Sequence, residues 1–201
     1  MTSDISRRSF TLSALALAGF GLAPLPARAL TEARARALVS QVVSDINNAI
    51  RSSGSQSAMI REFERLFGRY SDVGIIAQST LGPVARQMSS AQMRAYTEAF
   101  RGYIARKYGK RFDEFRGGRI EVKSVREVKS WHEVLSTAYL PGQSPFEVRF
   151  LVSDRSGQDK FFDMVVEGIS LRLSEREEIG AMLDRRNGNV DALIQDLKRA
   201  G

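Results

Sequence analysis

The stretch FFDMVVEGISL at residues 161–171 decides the predicted fold. Three of its apolar residues share one face of a β-strand by the two-residue strand period, namely Phe162, Met164 and Val166. The opposite face takes Asp163, Val165 and Glu167. We therefore predict one strand with a single apolar face. It is interrupted at Gly168, since glycine within a strand is typical of a bulge or a close backbone approach.

Helical segments follow this strand. Ser174 and Glu177 have the S-x-x-E spacing of a capping box, which predicts a helix from Ser174 to Arg186. Asn187-Gly188 ends it, and we predict a final helix from Asn189 to Arg199.

Three segments upstream predict partner strands. Residues 120–128 and 131–140 alternate partly, and residues 146–152 alternate most cleanly between apolar and polar side chains. The connecting loops at residues 141–145 and 154–157 are short and rich in turn-forming residues. Short loops between successive strands predict an antiparallel meander of four strands.

The N-terminal half has helical periodicity instead. Leu38, Val42, Ile46 and Ile50 recur every four residues, and Thr31 is the predicted N-cap of that helix. Three more helical segments are predicted at residues 59–70, at residues 73–76 and, from a capping-box sequence at residues 89–92, through residue 108.

Helices, then a sheet, then helices again define an α+β domain. We predict that the helices pack on one face of a curved four-stranded antiparallel meander sheet and leave an apolar cavity between the two layers. If the layers met tightly, the same residues would form an ordinary core, but the tyrosines favour a cavity whose mouth serves their hydroxyl groups. The predicted lining residues are Phe63, Phe67, Tyr70, Ile76, Tyr96, Phe100, Tyr103, Ile104, Tyr108, Val122, Phe146, Val148, Phe150, Phe162, Met164 and Val166.

The chain is poor in reactive residues. Among 201 residues it has no cysteine and one histidine, His132, which leaves little for a metal centre or a nucleophilic triad. Asp163 and Glu167 lie on the strand face that points away from the predicted cavity, so a structural role is the better interpretation. We predict no catalytic residue, no metal and no cofactor. An enzyme would need a carboxylate inside the cavity, and the alternation puts none on the apolar face of the last three strands.

Residues 1–29 have the features of a signal peptide. Arg7-Arg8 precede a weakly apolar run at residues 12–22, which is far shorter than the ~20 residues that span a bilayer. Ala27-Arg28-Ala29 fits an A-x-A cleavage site. We therefore predict export to the periplasm by the twin-arginine route, with residues 30–201 forming the mature domain.

Five basic residues lie on one side of the long predicted helix that begins at residues 89–92, or directly after it: Arg101, Arg106, Lys107, Lys110 and Arg111. A nucleic-acid interface could use such a face, but a solvated helix surface is the simpler interpretation, and we predict no nucleic-acid partner. Arg101, Arg106 and Lys107 are candidates for contacting an acidic partner or a lipid head group.

Several of these features together resemble the MlaC (toluene-tolerance) family. In chain order they are Leu81-Gly82, Ser89-Ser90-Ala91-Gln92, Phe100, Tyr103, Tyr108, residues 162–171 and Arg176. The most specific part is the segment with Asp163, Glu167-Gly168 and Ser170. The resemblance covers the chain from about Leu38 to Leu197.

The resemblance implies a soluble periplasmic carrier that binds the acyl chains of a phospholipid. It implies two partners, an inner-membrane ABC transporter complex and an outer-membrane lipoprotein/porin complex, which maintain outer-membrane lipid asymmetry. We also expect a monomer. The chain departs from the family pattern at Val84-Ala85, Asp159-Lys160 and Glu175, where aromatic residues are usual. A carrier of another lipid, such as a hopanoid, and a small periplasmic isomerase or hydrolase are the alternatives.

Overall fold

The computed structural model describes residues 30–52 and 54–201, without the side chains of Phe112 and Asp113. The predicted signal peptide, residues 1–29, lies outside the described residues. The described part contains six α-helices: α1 (Glu32–Ser52), α2 (Gln56–Tyr70), α3 (Val73–Leu81), α4 (Ser90–Gly109), α5 (Leu171–Asp184) and α6 (Val190–Arg199). Two 3₁₀ segments, Gly82–Gln87 and Lys110–Phe115, follow α3 and α4.

Side-chain caps begin the first and fourth helices, as predicted, and also the third. The Thr31 hydroxyl accepts a hydrogen bond from the backbone of the first turn of α1, and the Asp72 carboxylate does the same for α3. Ser89 and Gln92 form the predicted reciprocal capping box of α4. These bonds satisfy N–H groups that have no partner within the helix.

The described residues form one open antiparallel sheet whose strand order follows the sequence. Its strands are β1 (Arg119–Val128), β2 (Trp131–Tyr139), β3 (Phe146–Ser153), β4 (Lys160–Val166) and β5 (Ile169–Ser170). The predicted meander is confirmed, but the predicted number of four strands is wrong by one.

The fifth strand arises within residues 161–171. β4 ends at Val166, and a two-residue turn at Glu167-Gly168 brings Ile169 opposite Val166. Both turn residues have positive φ, 49° and 84°, as in the tight turns that match the twist of a hairpin. Gly168 therefore closes a hairpin and does not interrupt one continuous strand.

The helix after this hairpin begins earlier than predicted. Ser170 is the N-cap of α5, and its side chain accepts a hydrogen bond from the backbone N–H of Leu173. Ser174 lies inside the helix, where its hydroxyl donates to the Ser170 carbonyl at 3.1 Å. The capping box predicted at Ser174 and Glu177 is wrong because the hairpin delivers the chain to a helix start directly after β5.

A register shift also changes the alternation of β4 at Phe161. The Phe161 ring lies on the helix side of the sheet and meets Phe150 edge-on, with ring centroids 5.7 Å apart. The Phe162 ring meets Trp131 edge-on at 6.1 Å. The irregularity lies between Phe161 and Asp163, so Phe161 shares the helix-facing side with Met164 and Val166, which strict alternation does not foresee.

Two hydrophobic clusters hold the helices on one face of the sheet. In the first, α1 and α2 pack against the strands, with Val39 and Leu66 buried over Val134 and Phe150. The second cluster contains residues of every helix from α2 through α6, and its fully buried members include Tyr96, Phe100, Ile179 and Leu193. Among the described residues, no helix is both long enough and apolar enough to cross a membrane.

Candidate functional site

A pocket of about 660 Å³ lies between the helices and the sheet. Its helical wall comes from α1 to α5, and its sheet wall comes mainly from β3 and β4. Twelve of the predicted lining residues are on its walls: Phe63, Phe67, Ile76, Phe100, Ile104, Tyr108, Phe146, Val148, Phe150, Phe162, Met164 and Val166. Large apolar side chains therefore make up most of the surface that a ligand would contact.

One end of the pocket has a polar, exposed rim. The rim residues come from the 3₁₀ segment after α4, the β2–β3 loop and the β4–β5 turn, and they are Arg111, Glu114, Gln143, Ser144 and Glu167. These three segments meet at one end of the sheet because Arg119 pairs with Tyr139 and Val148 pairs with Val166. We define this end as the mouth of the pocket.

The opposite end is closed by α3. The backbone N–H of Asp72 donates to the Phe161 carbonyl at 2.8 Å, which ties the start of α3 to β4. Phe67, Ile76 and Phe161 fill this end with apolar side chains. The pocket therefore runs from a polar mouth to an apolar closed end.

Tyr70, Tyr96 and Tyr103 do not line this pocket. All three are buried, and their hydroxyl groups are bonded to Asp45 at 2.6 Å, Thr80 at 2.7 Å and Glu178 at 2.8 Å, respectively. Burial raises the pKa of each phenol above its ordinary value. A carboxylate or a threonine inside the protein satisfies a phenol as well as a cavity mouth does.

Val122 is the fourth predicted residue that lies outside the pocket. It stands on β1 and packs, half-buried, against the cluster that α1 forms with the sheet. α1 lies directly against β1, and Val122 is part of that contact rather than of the pocket wall.

Other lining residues escaped the sequence argument. Phe161 was missed because regular alternation puts it on the far face of β4. Val42 and Ile46 belong to the recognised apolar stripe of α1, but the sequence does not show which helix reaches the pocket. Leu140 and Phe115 stand near the mouth in segments without regular periodicity.

A buried carboxylate also reaches the pocket wall. Glu175 of α5 lines the pocket and is only 2% exposed. Its Oε1 accepts hydrogen bonds from the Tyr108 hydroxyl at 2.5 Å and from Lys107 Nζ at 2.7 Å. Lys107 Nζ also donates to Glu178 at 2.5 Å. The sequence argument about carboxylates covered only the strands, and Glu175 comes from a helix. Asp163 and Glu167, which we expected on the strand face away from the cavity, also line the pocket.

The contacts in this group shift three pKa values. Burial acts to lower the pKa of Lys107, but hydrogen bonds to Glu175 and Glu178 outweigh it and raise that pKa above its ordinary value. The hydrogen bond from Lys107 lowers the pKa of Glu178. Burial, and next the bond to Glu175, raises the pKa of Tyr108. At neutral pH the group therefore contains a charged lysine, a charged Glu178 and a neutral phenol.

Asp163 has a structural role at the corner between β4 and α5. It is 4% exposed, and its carboxylate accepts hydrogen bonds from the Ser170 hydroxyl at 2.6 Å and from the backbone N–H groups of Met164 and Arg172 at 2.8 and 3.0 Å. One charged acceptor thus joins β4, β5 and the first turn of α5.

Three basic residues of α4 are bonded within the protein. Arg101 forms ion pairs with Glu64 and Glu98. Arg106 donates to two carbonyl groups at the end of α6, at 2.8 and 2.5 Å. Together with Lys107 they are half-buried, and their role in contacting an acidic partner or a lipid head group stays a prediction.

These observations define an α+β protein with one open meander sheet, helices on one of its faces and an apolar pocket with a polar mouth. The sequence model of the MlaC family, described as MlaC protein, matches residues 36–199. The chain therefore belongs to the MlaC family.

A solved structure shares this fold. It is the phospholipid-binding protein from Ralstonia solanacearum, determined at 1.53 Å in complex with a phospholipid. The TM-score is 0.71 at 20% sequence identity, and the match covers 82% of this chain and 95% of that chain. At this identity the likeness is one of fold.

Proposed function

We propose that this protein is a periplasmic carrier that holds the acyl chains of a phospholipid in the pocket between the helices and the sheet. The pocket is the observation that carries the proposal, because its apolar walls and polar mouth match the two parts of such a lipid. Its volume of about 660 Å³ is typical of ligand-binding sites. Membership of a family whose proteins are periplasmic, and the phospholipid bound to the Ralstonia protein, support it.

The energetics of lipid transfer require such a pocket. Each buried methylene group contributes ~0.8 kcal/mol, so two chains of about sixteen carbons amount to roughly 25 kcal/mol. A carrier can offset this free energy only by burying the chains, and it cannot release them into water. We therefore propose that lipid passes directly to and from membrane components, an inner-membrane ABC transporter complex and an outer-membrane lipoprotein/porin complex.

We do not assign catalysis to Glu175. Its Oε1 is bonded to Tyr108 and Lys107, and an ammonium group 2.7 Å away balances its charge. The described lining residues include no histidine that could act beside it. These contacts favour a binding role for the pocket over an isomerase or hydrolase role.

Native mass spectrometry of protein prepared from the periplasm without detergent tests the proposal. We expect a lipid-bound species, in which the lipid mass also separates a phospholipid from a hopanoid. Val148→Trp places an indole in the pocket and should reduce the lipid-bound fraction severalfold. Leu135→Trp, on the opposite face of the sheet, is the matched control and should retain lipid.

Two outcomes would contradict the proposal. One is wild-type protein that carries no lipid and takes none up from phospholipid vesicles. The other is a folded Val148→Trp variant that binds as much lipid as the Leu135→Trp control.

A further inference from the structure

Glu175 lines the pocket and has one hydrogen-bond acceptor that is not used within the described chain. Its Oε1 is occupied by Tyr108 and Lys107, whereas its Oε2 is buried and has no hydrogen-bond partner among the described residues. Leaving a buried carboxylate oxygen unpaired is costly, and such groups in native proteins usually have a partner. A donor from outside the chain would satisfy it.

The position of Glu175 suits the polar part of a lipid. Its partner Tyr108 precedes Arg111 by three residues, and Arg111 is exposed at the mouth. Glu175 is therefore bonded to the last turn of α4, directly before the 3₁₀ segment that carries the rim residue Arg111, whereas Phe100 and Ile104 lie earlier in α4.

The charges around Glu175 favour a donor over a further acceptor. Lys107 faces two carboxylates, those of Glu175 and Glu178, so this group carries a net negative charge. Arg111 and Arg172 also line the pocket, and Arg111, exposed at the mouth, supplies positive charge for a phosphate, whereas Arg172 faces Asp163 at 3.7 Å. A lipid with a phosphate and a nearby N–H or O–H donor would match both kinds of charge.

We propose that Glu175 selects among phospholipids by accepting a hydrogen bond from a donor on the polar part of the lipid, either a hydroxyl or a primary ammonium group. This inference rests on the proposed function, since it assigns lipid selectivity to the same pocket. It predicts that a lipid whose head group has neither donor binds less well than one that has either.

Competition between three phospholipids tests this selectivity. The exported protein is mixed with vesicles that contain equal amounts of phosphatidylcholine, phosphatidylethanolamine and phosphatidylglycerol with identical acyl chains, and bound lipid is read by native mass spectrometry. Phosphatidylcholine has no head-group donor, phosphatidylethanolamine has an ammonium group, and phosphatidylglycerol has hydroxyl groups. We expect one donor lipid to exceed phosphatidylcholine by about tenfold, as one hydrogen bond to a charged group allows.

Variants assign that preference to Glu175. Glu175→Gln keeps the shape of the side chain and removes its charge. The ratio of bound donor lipid to bound phosphatidylcholine should therefore fall severalfold towards the vesicle composition, while the total amount of bound lipid stays the same. Glu175→Asp withdraws the carboxylate and should lower the same ratio, which provides a second test if the glutamine variant does not fold. Glu178→Gln changes a carboxylate that shares Lys107 but does not line the pocket, and it should leave the ratio unchanged.

The outcomes separate the two proposals. Uptake of all three lipids in vesicle proportions, or a wild-type ratio in folded Glu175 variants, would overturn the role of Glu175 and leave the carrier function intact. Absence of any bound lipid would overturn the carrier function itself.

Discussion

The Tyr108 hydroxyl donates a 2.5 Å hydrogen bond to Oε1 of Glu175 and thereby joins the end of α4 to α5 at the pocket wall. Because Glu175 is 2% exposed, water cannot replace this donor easily. Tyr108→Phe should therefore lower the free energy of unfolding by ~1–3 kcal/mol. Urea denaturation measures it. Tyr139→Phe, at a half-exposed strand position, is the control and should change stability by less than ~0.5 kcal/mol. Equal effects of the two substitutions would contradict this role of Tyr108.

Asp163 gives a second test of a buried carboxylate. Asp163→Asn places an amide donor among the N–H and O–H groups that now donate hydrogen bonds to the carboxylate. We therefore expect the free energy of unfolding to fall by ~1–3 kcal/mol. Asp159→Asn is the matched control, because Asp159 is only partly buried in an ion pair with Arg34 and should contribute ~0–1 kcal/mol. A smaller loss at Asp163 than at Asp159 would show that the corner between β4 and α5 does not depend on this carboxylate.

At Gly109, α4 lies close against α2. A Cβ atom at this position would lie 2.9 Å from the Cα of Ile60, so Gly109→Ala requires the helices to separate. We expect a loss of ~1–3 kcal/mol in urea denaturation, as for overpacked cores. Gly180→Ala provides the control. It lies inside α5 with nothing within 4 Å of its added Cβ, so it should stabilise by ~0.5–1 kcal/mol.

Acid should destabilise the group around Lys107. The hydrogen bond from Lys107 lowers the pKa of Glu178 below its ordinary value of 4.5. A carboxylate whose pKa is lower in the folded state than in the unfolded state stabilises the protein at pH values above its unfolded-state pKa. This stability is lost as the pH falls through its folded-state pKa. The unfolding midpoint of the wild type should therefore decrease more steeply below about pH 4.5 than that of Glu178→Gln. Glu177→Gln, at an exposed position of the same helix, should follow the wild type. Identical acid profiles for the wild type and Glu178→Gln would contradict the assignment.

Periodicity predicts the layers of this protein well. The two-residue period of residues 146–152 and the helical stripes of α1 and α4 are local signals, and short loops leave the strands few ways to pair. The same signals identify Phe146, Val148 and Phe150, which line the pocket. Local patterns suffice where a side chain's orientation follows directly from a regular element.

Predictions from periodicity fail where a tertiary contact or an irregular backbone determines which way a side chain faces. The register shift near Phe161 and the tight turn at Glu167-Gly168 depend on how β4 pairs with its neighbours, and periodicity does not report pairing. The partners of Tyr70 and Tyr103, Asp45 and Glu178, come from other helices. Glu175 reaches the pocket only through the packing of α5 against the remaining helices.

The central claim is that acyl chains extend from the polar mouth to the closed end of the pocket. Photo-crosslinking with a phospholipid that carries a diazirine at the end of one acyl chain tests it most directly, with adducts located by peptide mass spectrometry. We predict adducts on peptides that contain Phe67, Ile76 or Phe161, which form the closed end. Adducts confined to the exposed apolar residues Ile169 and Leu173, which are 62% and 51% exposed on the surface, would contradict the claim.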